Sequence, residues 1–319
     1  VVLTIQAGTI IKGTEGTGSL ASALIVAKGG KLNATGTATE PIIFTSINDN
    51  ITVGQTSGTN LDETNSGLWG GLIVLGNAPC SFSGDVEVLQ IEGIPADDTF
   101  GLYGGSDAAD DSGVYQYISI RHGGALIGEG NEINGLTLGG VGSGTVIENI
   151  EVVGNVDDGI EFFGGTVNAS NLLIWAQGDD ALDIDQAYSG TINNAVVILG
   201  ANSDHAFEID GPEGAATGSF TLNNVTIIGN SVTEDGEYAD YRSGAMGSTE
   251  NIYAYGFKET SDVELDNDGV ATNYNNGLLT FGAWEIVLPS GVSDVASIFV
   301  NKASAVEVSG FGSTATAVT

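Results

Sequence analysis

One short acidic segment has the residue types and spacing that could do chemistry. Residues 178–186 read GDDALDIDQ and contain Asp179, Asp180, Asp183 and Asp185. Carboxylates this close together can hold a hard cation such as Ca²⁺, which accepts several oxygen ligands. They can also form an acid/base pair, provided that one carboxyl has a raised pKa and the other stays ionised. The third alternative is a solvated acidic face that binds nothing.

The same pattern occurs before and after this segment. Residues 157–163 read DDGIEFF, residues 179–185 read DDALDID, and residues 204–210 read DHAFEID. Because strand side chains alternate between two faces, we expect the apolar fourth and sixth positions to point into a core. The acids then form three columns on the opposite, outer face. These columns are Glu161, Asp183 and Glu208; Asp157, Asp179 and Asp204; and Asp185 and Asp210.

Charge repulsion makes these columns informative. If the three segments are adjacent strands, neighbouring carboxylates lie about 5 Å apart. At an effective dielectric near 20, two such charges repel by roughly 3 kcal/mol. A bound cation would offset this cost, so the sequence predicts Ca²⁺ as a cofactor. The expected metal ligands are Asp157, Glu161, Asp183, Asp185, Asp204, Glu208 and Asp210.

A repeat indicates which elements position these acids. Asparagines recur before short apolar stretches, with spacings of 22, 23, 30 and 27 residues. They are Asn149, Asn171, Asn194, Asn224 and Asn251. A unit of this length cannot bury a core alone, but stacked units can. We therefore predict an all-β fold, a right-handed parallel β-helix in the form of a single-stranded solenoid with about 20–30 residues per coil. A globular β-sandwich is the alternative.

Composition agrees with this fold and limits the function. The chain has 319 residues and 49 glycines, and its apolar stretches are short. We expect the β-helix to span residues 1–308 and residues 309–319, SGFGSTATAVT, to be a polar linker to a sorting or anchoring module. With 41 acidic and 7 basic residues, a net charge of −34 argues against binding nucleic acid or anionic lipid. No apolar run is long enough for a membrane span, and the single Cys80 allows no internal disulfide.

The opening of the chain resembles that of known surface proteins. Residues 3–13 read LTIQAGTIIKG and residues 24–46 read LIVAKGGKLNATGTATEPIIFTS. These motifs resemble the first coils of secreted bacterial β-helix proteins, especially large cell-surface proteins of the Bacteroidetes type. The resemblance implies secretion and display on the outer cell surface, with polysaccharide or other surface components as partners. Because a β-helix has open strand edges at its ends, end-to-end stacking into a homo-oligomer is a further expectation.

A more distant resemblance concerns catalysis. Residues 155–159 (NVDDG), 178–180 (GDD), 204–206 (DHA) and 242–244 (RSG) follow the chain order of the NTDG, GDD, GHG and RIK segments of polygalacturonase-type β-helix hydrolases. The chain thus resembles, more distantly, the polygalacturonase/pectate-lyase-like β-helices, although a pectate-lyase mechanism fits less well because Arg242 is the only basic residue near. The resemblance implies that Asp158, Asp179 and Asp180 supply the acid and base, that His205 tunes them and that Arg242 binds substrate. Two features depart from the pattern. GHG is replaced by DHA, and Gly244 replaces the lysine that would meet an acidic sugar.

Three functions therefore remain open. The first is a non-enzymatic extracellular scaffold or adhesion protein with cations on its acidic face. The second is a polygalacturonase-like glycoside hydrolase, and the third is an inactive polysaccharide-binding module. The missing lysine and the acidity of the segment favour the first. Trp69, Trp175 and Trp284 could stack on sugars if they are exposed, although aromatic residues in strands are more often packed.

Overall fold

The fold is a right-handed parallel β-helix, which confirms the predicted class. The computed structural model describes residues 1–95, 98–126, 133–232 and 236–319. The strands are β1 (Val2–Ile5), β2 (Ile10–Gly13), β3 (Leu24–Val26), β4 (Lys31–Thr35), β5 (Ile42–Ser46), β6 (Leu72–Leu75), β7 (Leu89–Gln90), β8 (Leu102–Tyr103), β9 (Gly113–Arg121), β10 (Leu136–Gly139), β11 (Val146–Val153), β12 (Ile160–Phe163), β13 (Asn168–Trp175), β14 (Leu182–Asp185), β15 (Thr191–Ile198), β16 (His205–Ile209), β17 (Phe220–Ile228), β18 (Glu237–Tyr241), β19 (Gly247–Tyr255), β20 (Val263–Leu265), β21 (Leu279–Phe281), β22 (Trp284–Val287), β23 (Phe299–Asn301) and β24 (Ala315–Val318). The one α-helix among the described residues, α1, spans Asp268–Asn275. No helix among the described residues is long and apolar enough to span a membrane.

Two parallel sheets run along the solenoid. The short-strand sheet has the order β23-β20-β18-β16-β14-β12-β10-β6-β3. The second sheet has the order β1-β4-β9-β11-β13-β15-β17-β19-β22-β24, with β2, β5 and β21 pairing at its side. We call it the bent sheet, because its long strands bend at the repeated asparagines. Each coil from β10 to β19 thus contributes one strand to each sheet, and the two sheets enclose one apolar core.

The predicted inward residues form that core. Ile160, Leu182 and Phe207 stack in register on successive coils, as do Phe162, Ile184 and Ile209. All six side chains are at most 1% exposed. Burial of each such side chain stabilises the fold by roughly 1.5–3 kcal/mol. The alternation in the sequence therefore fixes which face of each strand points outward.

The repeated asparagines form the corner of the bent sheet. Asn149, Asn171, Asn194, Asn224 and Asn251 all have left-handed backbone conformations, with φ between 56° and 63°. Asparagine tolerates this conformation better than most residues. Their amides also bond between coils: Asn194 Nδ2 donates to Asn171 Oδ1 at 2.7 Å, and Asn251 donates to Asn224. The anchor therefore lies in the middle of each long strand, where the strand bends, and not before it.

The C-terminal segment differs from the expectation. Strand β24 lies within 309–319 and pairs in parallel with β22. Phe311 packs edge-on against Phe281 and Phe299. The aromatic ring and the strand pairing make this segment a part of the solenoid, although the sequence suggests a polar linker.

A long insertion covers one end of the short-strand sheet. Residues 76–112 connect β6 to β9 and contain the antiparallel pair β7–β8. Phe82, Ile91 and Tyr103 of this insertion pack on the outward side chains Ile73 and Phe163. The outer face of the sheet is therefore partly covered next to the acidic segments.

The asparagine corner gives a first prediction. We expect Asn194→Ala to lower the free energy of unfolding by about 1–2 kcal/mol, because alanine is strained at positive φ. Asn194→Gly should cost less, since glycine adopts this conformation freely and only the amide hydrogen bond is lost. Urea denaturation followed by circular dichroism measures both variants. Equal losses for alanine and glycine would contradict the role of the left-handed conformation.

Candidate functional site

A row of five carboxylates lies on the outward side of the short-strand sheet. The pairing register aligns Glu161 with Asp183, Asp183 with Glu208, Glu208 with Asp240, and Asp240 with Glu264. We call these five residues the carboxylate row. The first three are the predicted column, so the sequence placed them correctly. Asp240 and Glu264 extend that column by two coils.

The carboxylate row is far less exposed than an outer face would suggest. Glu161 is 6% exposed, Asp240 7%, and Glu208 and Glu264 9% each. Long basic side chains cover part of the row: Arg242 contacts Glu208, and Lys302 contacts Glu264. The alternative of a fully solvated acidic face therefore does not fit these four residues. The cost of burying their charge must be offset within the protein or by a ligand.

A second set of polar side chains links the coils through the backbone. The Asp158 N–H donates to Asn134 Oδ1 at 3.3 Å, and the Asp180 N–H donates to Asp158 Oδ1 at 3.0 Å. The His205 N–H in turn donates to Asp180 Oδ1 at 2.8 Å. We call Asn134, Asp158, Asp180 and His205 the inter-coil ladder. In each step a side-chain oxygen of one coil accepts a backbone N–H of the next coil.

The ladder determines what the predicted catalytic residues do. Asp158 and Asp180 are 6% and 3% exposed, and each uses Oδ1 to hold the next coil. Asp179 is exposed, so only this member of the predicted acid/base set faces solvent. The structure brings Asp158, Asp180 and His205 together, as the resemblance implies. The carboxylates of Asp158 and Asp180, however, accept backbone hydrogen bonds from the next coil and so serve the stacking of coils.

His205 is held in its charged form. Its Nδ1 lies 2.9 Å from Asp180 Oδ1, 3.7 Å from Asp204 Oδ1 and 4.0 Å from Glu208 Oε2. Burial alone would lower the pKa of His205. The hydrogen bond and the charge of Asp180 outweigh burial, and the pKa is raised to about 9. His205 therefore acts as a cation inside the acidic cluster at neutral pH.

Arg242 is paired with predicted metal ligands and not with the predicted catalytic pair. The Nε of Arg242 donates to Asp210 Oδ2 at 2.8 Å, and its Nη2 contacts Glu208 Oε1. Asp210 follows Ile209, and Arg242 follows Tyr241, which pairs with Ile209. The third predicted column, Asp185 and Asp210, thus ends at an arginine. This ion pair neutralises part of the acidic cluster.

Burial is the main cause of the pKa shifts in the cluster. It raises the pKa of Asp158, Glu161 and Asp183 well above their ordinary values, and neighbouring carboxylates add to the effect. Burial also raises the pKa of Asp185 to about 7 and that of Glu208 to about 8. Two further residues, Asp179 and Asp240, have pKa values raised to about 6, again mainly by burial.

Several of these side chains approach one another closely enough to share an ion. Ligand atoms lie within 4.8 Å of one another in four groups. These are Asp158, Glu161 and Asp183; Asp157, Asp158 and Asp179; Asp180, His205 and Glu208; and His205, Asp240 and Glu264. Oxygens that bind one Ca²⁺ at 2.3–2.6 Å are up to about 5 Å apart, so the spacing suits that ion.

Two buried oxygens strengthen the case for a ligand. Asp183 Oδ1 and Asp240 Oδ1 receive no hydrogen bond from the described residues. A buried acceptor without a donor costs about 1–3 kcal/mol. The second predicted column is more open: the side chain of Asp204 is 44% exposed, and its N–H donates to the Asp179 carbonyl at 2.9 Å. In the third predicted column, Asp210 Oδ1 is likewise buried without a donor among the described residues.

Sequence reasoning missed the later members of the site. Asp240 lies in EYADY (237–241) and Glu264 in DVEL (262–265), each flanked by inward apolar residues as in the earlier coils. A contact of the same kind recurs beyond His205, where the Asp262 N–H donates to Glu237 Oε2 at 2.9 Å, although the Glu237 N–H itself donates to the backbone carbonyl of Asp204. The alternation of acidic and apolar residues could have identified Asp240 and Glu264 as members of the row. The irregular coil lengths, with 32 residues from Glu208 to Asp240, concealed it.

These features define a parallel β-helix with a partly buried acidic row on one sheet. A family model described as a pectate-lyase-like beta helix domain matches residues 1–317, and the chain belongs to this family. No curated protein and no solved structure matches the chain. The family match supports the distant resemblance to pectate-lyase-like β-helices. The narrower resemblance to Bacteroidetes surface proteins stays a prediction.

The raised pKa values predict that stability falls as pH rises. Asp185, Glu208 and Asp240 keep protons in the folded state that the unfolded chain releases near its ordinary pKa of about 4. Their contribution is complete below that pH and is lost as pH rises through 6 to 8. His205 acts in the same direction up to about pH 9. With EGTA present, the urea midpoint should be higher at pH 5 than at pH 8.5.

A matched pair of variants separates this effect from the overall charge. Asp240→Asn should flatten the pH dependence, because it removes one of the buried acids. Glu259→Gln, which neutralises an exposed acid, should leave the dependence unchanged. A midpoint that rises with pH, or equal slopes for the two variants, would contradict the assignment.

Proposed function

We propose that this protein is a non-catalytic extracellular scaffold whose carboxylate row binds Ca²⁺ and thereby stabilises the stacked coils. The observation that supports this most directly is the row itself, with buried oxygens of Asp183 and Asp240 that lack a hydrogen-bond donor. Domains of this family are often extracellular, which fits the location expected from the sequence. Surface adhesion remains the proposed role, with polysaccharide or other surface components as partners.

The distribution of cations within the row favours a metal at its first coils. Arg242 contacts Glu208, Lys302 contacts Glu264, and His205 lies close to both Glu208 and Asp240. Within the described residues, no salt bridge to a basic side chain involves Asp158, Glu161 or Asp183. These three acids form one of the close groups. A divalent ion would supply the positive charge that the protein does not supply there.

The donor set suits calcium better than other common metals. The first group offers only carboxylate oxygens, and hard oxygen ligands are those that Ca²⁺ and Mg²⁺ prefer. Ca²⁺ tolerates irregular geometry, whereas Mg²⁺ demands a near-ideal octahedron. Calcium sites of extracellular modules have dissociation constants of about 10⁻⁴–10⁻³ M. We expect an affinity in that range.

Calcium titration tests the proposal. In 10 mM Ca²⁺, binding of this strength should stabilise the folded protein by roughly 1–3 kcal/mol relative to EGTA, as seen in the urea midpoint. The double variant Glu161→Gln/Asp183→Asn should lose this gain and should show no heat of binding by calorimetry. The control Glu250→Gln/Glu259→Gln removes the same charge from exposed positions and should retain both effects. No calcium effect in the wild type, or an equal loss in both double variants, would contradict the proposal.

A polygalacturonase-like hydrolase is the second candidate, and one observation favours it. Asp179 is the most open of the three predicted catalytic carboxylates, and it follows the order of the acidic segments of polygalacturonases. Partial desolvation of its carboxyl and the charge of Asp180 raise its pKa to about 6. Against this, Asp158 and Asp180 hold neighbouring coils through backbone hydrogen bonds.

Activity assays decide between the candidates. For the scaffold, we expect no release of reducing sugar from neutral or acidic polysaccharides. Turnover that is abolished in Asp179→Asn, while the urea midpoint is unchanged, would establish the hydrolase instead. End-to-end stacking of two copies is a separate proposal, for which light scattering across calcium concentrations should show particles larger than the single chain.

A further inference from the structure

A second set of ligand groups lies at the later coils of the short-strand sheet and differs in chemistry from the first. A ring nitrogen of His205 and one carboxylate oxygen each of Asp240 and Glu264 lie within 4.8 Å of one another. His205 begins β16, Asp240 lies in β18 and Glu264 in β20, so three successive coils supply one ligand each. None of the three belongs to the all-carboxylate group at the first coils, for which calcium is proposed.

The imidazole of His205 is oriented by a carboxylate. Its Nδ1 lies 2.9 Å from Asp180 Oδ1, and the side chain of Asp180 is only 4% exposed. The backbone N–H of His205 donates to the same oxygen at 2.8 Å, which holds the two residues together. With Nδ1 engaged, Nε2 is the ring nitrogen that can bind a metal. Histidines that bind metals commonly donate the other ring N–H to a carboxylate, because this bond fixes the tautomer and the ring orientation.

Asp240 is a buried carboxylate with an oxygen that lacks a partner. Its side chain is 7% exposed, and Oδ1 receives no hydrogen bond from the described residues. Arg242 and Lys302 form their salt bridges with other acids. A buried acceptor without a donor costs about 1–3 kcal/mol. An ion held between the three side chains meets the carboxylate of Asp240 from inside the cluster, so this contact does not require a surface exposed to solvent.

The donor set favours a transition-metal ion over calcium. Ca²⁺ takes oxygen ligands, and an imidazole nitrogen is not among them. One imidazole and two carboxylates suit Zn²⁺, which binds such nitrogen and oxygen atoms at about 2.0–2.2 Å and is most often four-coordinate. Neighbouring ligand atoms around a tetrahedral Zn²⁺ are about 3.4 Å apart, so small side-chain rotations bring the three atoms to that separation. A water molecule would complete the coordination.

The cations that already lie near this group can give way to a metal ion. Zn²⁺ would displace the proton of Nε2 to solvent, while the hydrogen bond from Nδ1 to Asp180 stays in place. Lys302 contacts Glu264, but its side chain is 45% exposed and can turn into solvent. The side chain of His205 is 13% exposed, so the ion has access from the surface. Lys302 and the metal therefore compete for Glu264.

We propose that His205, Asp240 and Glu264 form a binding site for Zn²⁺, with Asp180 as the positioning residue that orients the imidazole. The site shares no ligand with the calcium group at the first coils, so the inference stands whether or not calcium binds there. Because the ligands come from three successive coils, bound Zn²⁺ would cross-link this part of the short-strand sheet.

Cobalt absorption gives a direct readout of this site. Co²⁺ replaces Zn²⁺ in sites of nitrogen and oxygen ligands, and four-coordinate Co²⁺ absorbs visible light far more strongly than the hydrated ion. The titration uses the full chain with Ca²⁺ in excess, which fills sites built from oxygen alone. We expect a visible band that saturates at one equivalent of Co²⁺. Addition of Zn²⁺ should remove the band, whereas more Ca²⁺ should not.

Substitutions of the ligands test the assignment. His205→Gln should abolish the band and weaken Zn²⁺ binding by at least about tenfold, the effect that loss of an outer partner of a ligand already has. His122→Gln is the matched control, because it removes the other histidine of the chain and should keep the band. Asp240→Asn should also weaken Zn²⁺ binding, whereas Glu259→Gln, at an exposed acid, should not.

Lys302→Met should change the affinity in the opposite direction. Removal of the ammonium group that competes for Glu264 should tighten Zn²⁺ binding about two- to fivefold, in line with the strength of a partly exposed ion pair. A gain in affinity does not arise from misfolding, so this variant tests the site even if His205→Gln does not fold. No band in the wild type, a band that survives in His205→Gln, an equal loss in a ligand variant and its control, or unchanged affinity in Lys302→Met would overturn the proposal.

Discussion

In-register stacking of coils is the constraint on which the rest of this structure depends. Each strand pairs with the equivalent strand of the next coil at about 4.8 Å, so a residue type that recurs in the repeat becomes a continuous column. Inward columns of Ile, Leu and Phe give the core. The asparagine column gives the corner, with amide-to-amide hydrogen bonds. The same geometry forces recurring acids into the carboxylate row, where like charges face one another.

The molecule offsets this repulsion differently along its length. At the later coils Arg242, Lys302 and the charged His205 contact the acids directly. At the earlier coils, no basic side chain among the described residues forms a salt bridge with Asp158, Glu161 or Asp183, and burial raises the pKa values of these three acids. Protonation and cation binding are alternative ways to neutralise these three acids. That competition connects the pH dependence of stability to the proposed calcium site.

The sequence predicted what depends on alternation and failed where tertiary contacts decide. The β-helix, the inward residues and the register of Glu161, Asp183 and Glu208 follow from period-two alternation and the repeated asparagine. The burial of the row was not predictable, because it depends on Arg242, Lys302 and the packing of the 76–112 insertion. Asp240 and Glu264 escaped detection because coil lengths vary. A cavity of about 490 Å³ beside Trp175, lined by residues 63–66 and by the turns after the long strands, depends on contacts between distant parts of the chain that no local pattern in the sequence indicates.

The inter-coil ladder gives the acidic motifs of this pectate-lyase-like solenoid a structural role. A carboxylate that acts on a substrate needs a free oxygen and access to the reacting bond. In both Asp158 and Asp180, one carboxylate oxygen accepts a hydrogen bond from a backbone N–H of the next coil, and both side chains are nearly inaccessible to solvent. The same residue types that could form an acid/base pair thus satisfy buried N–H groups, as the amide of Asn134 does one coil earlier. An amide oxygen and a carboxylate oxygen can both accept this hydrogen bond. The stacking of coils is therefore sufficient to explain why polar side chains occupy these positions. The carboxylate row, which lies three residues further along each coil, accepts no such backbone hydrogen bond among the described residues, and it is the part of the site that we propose binds a cation.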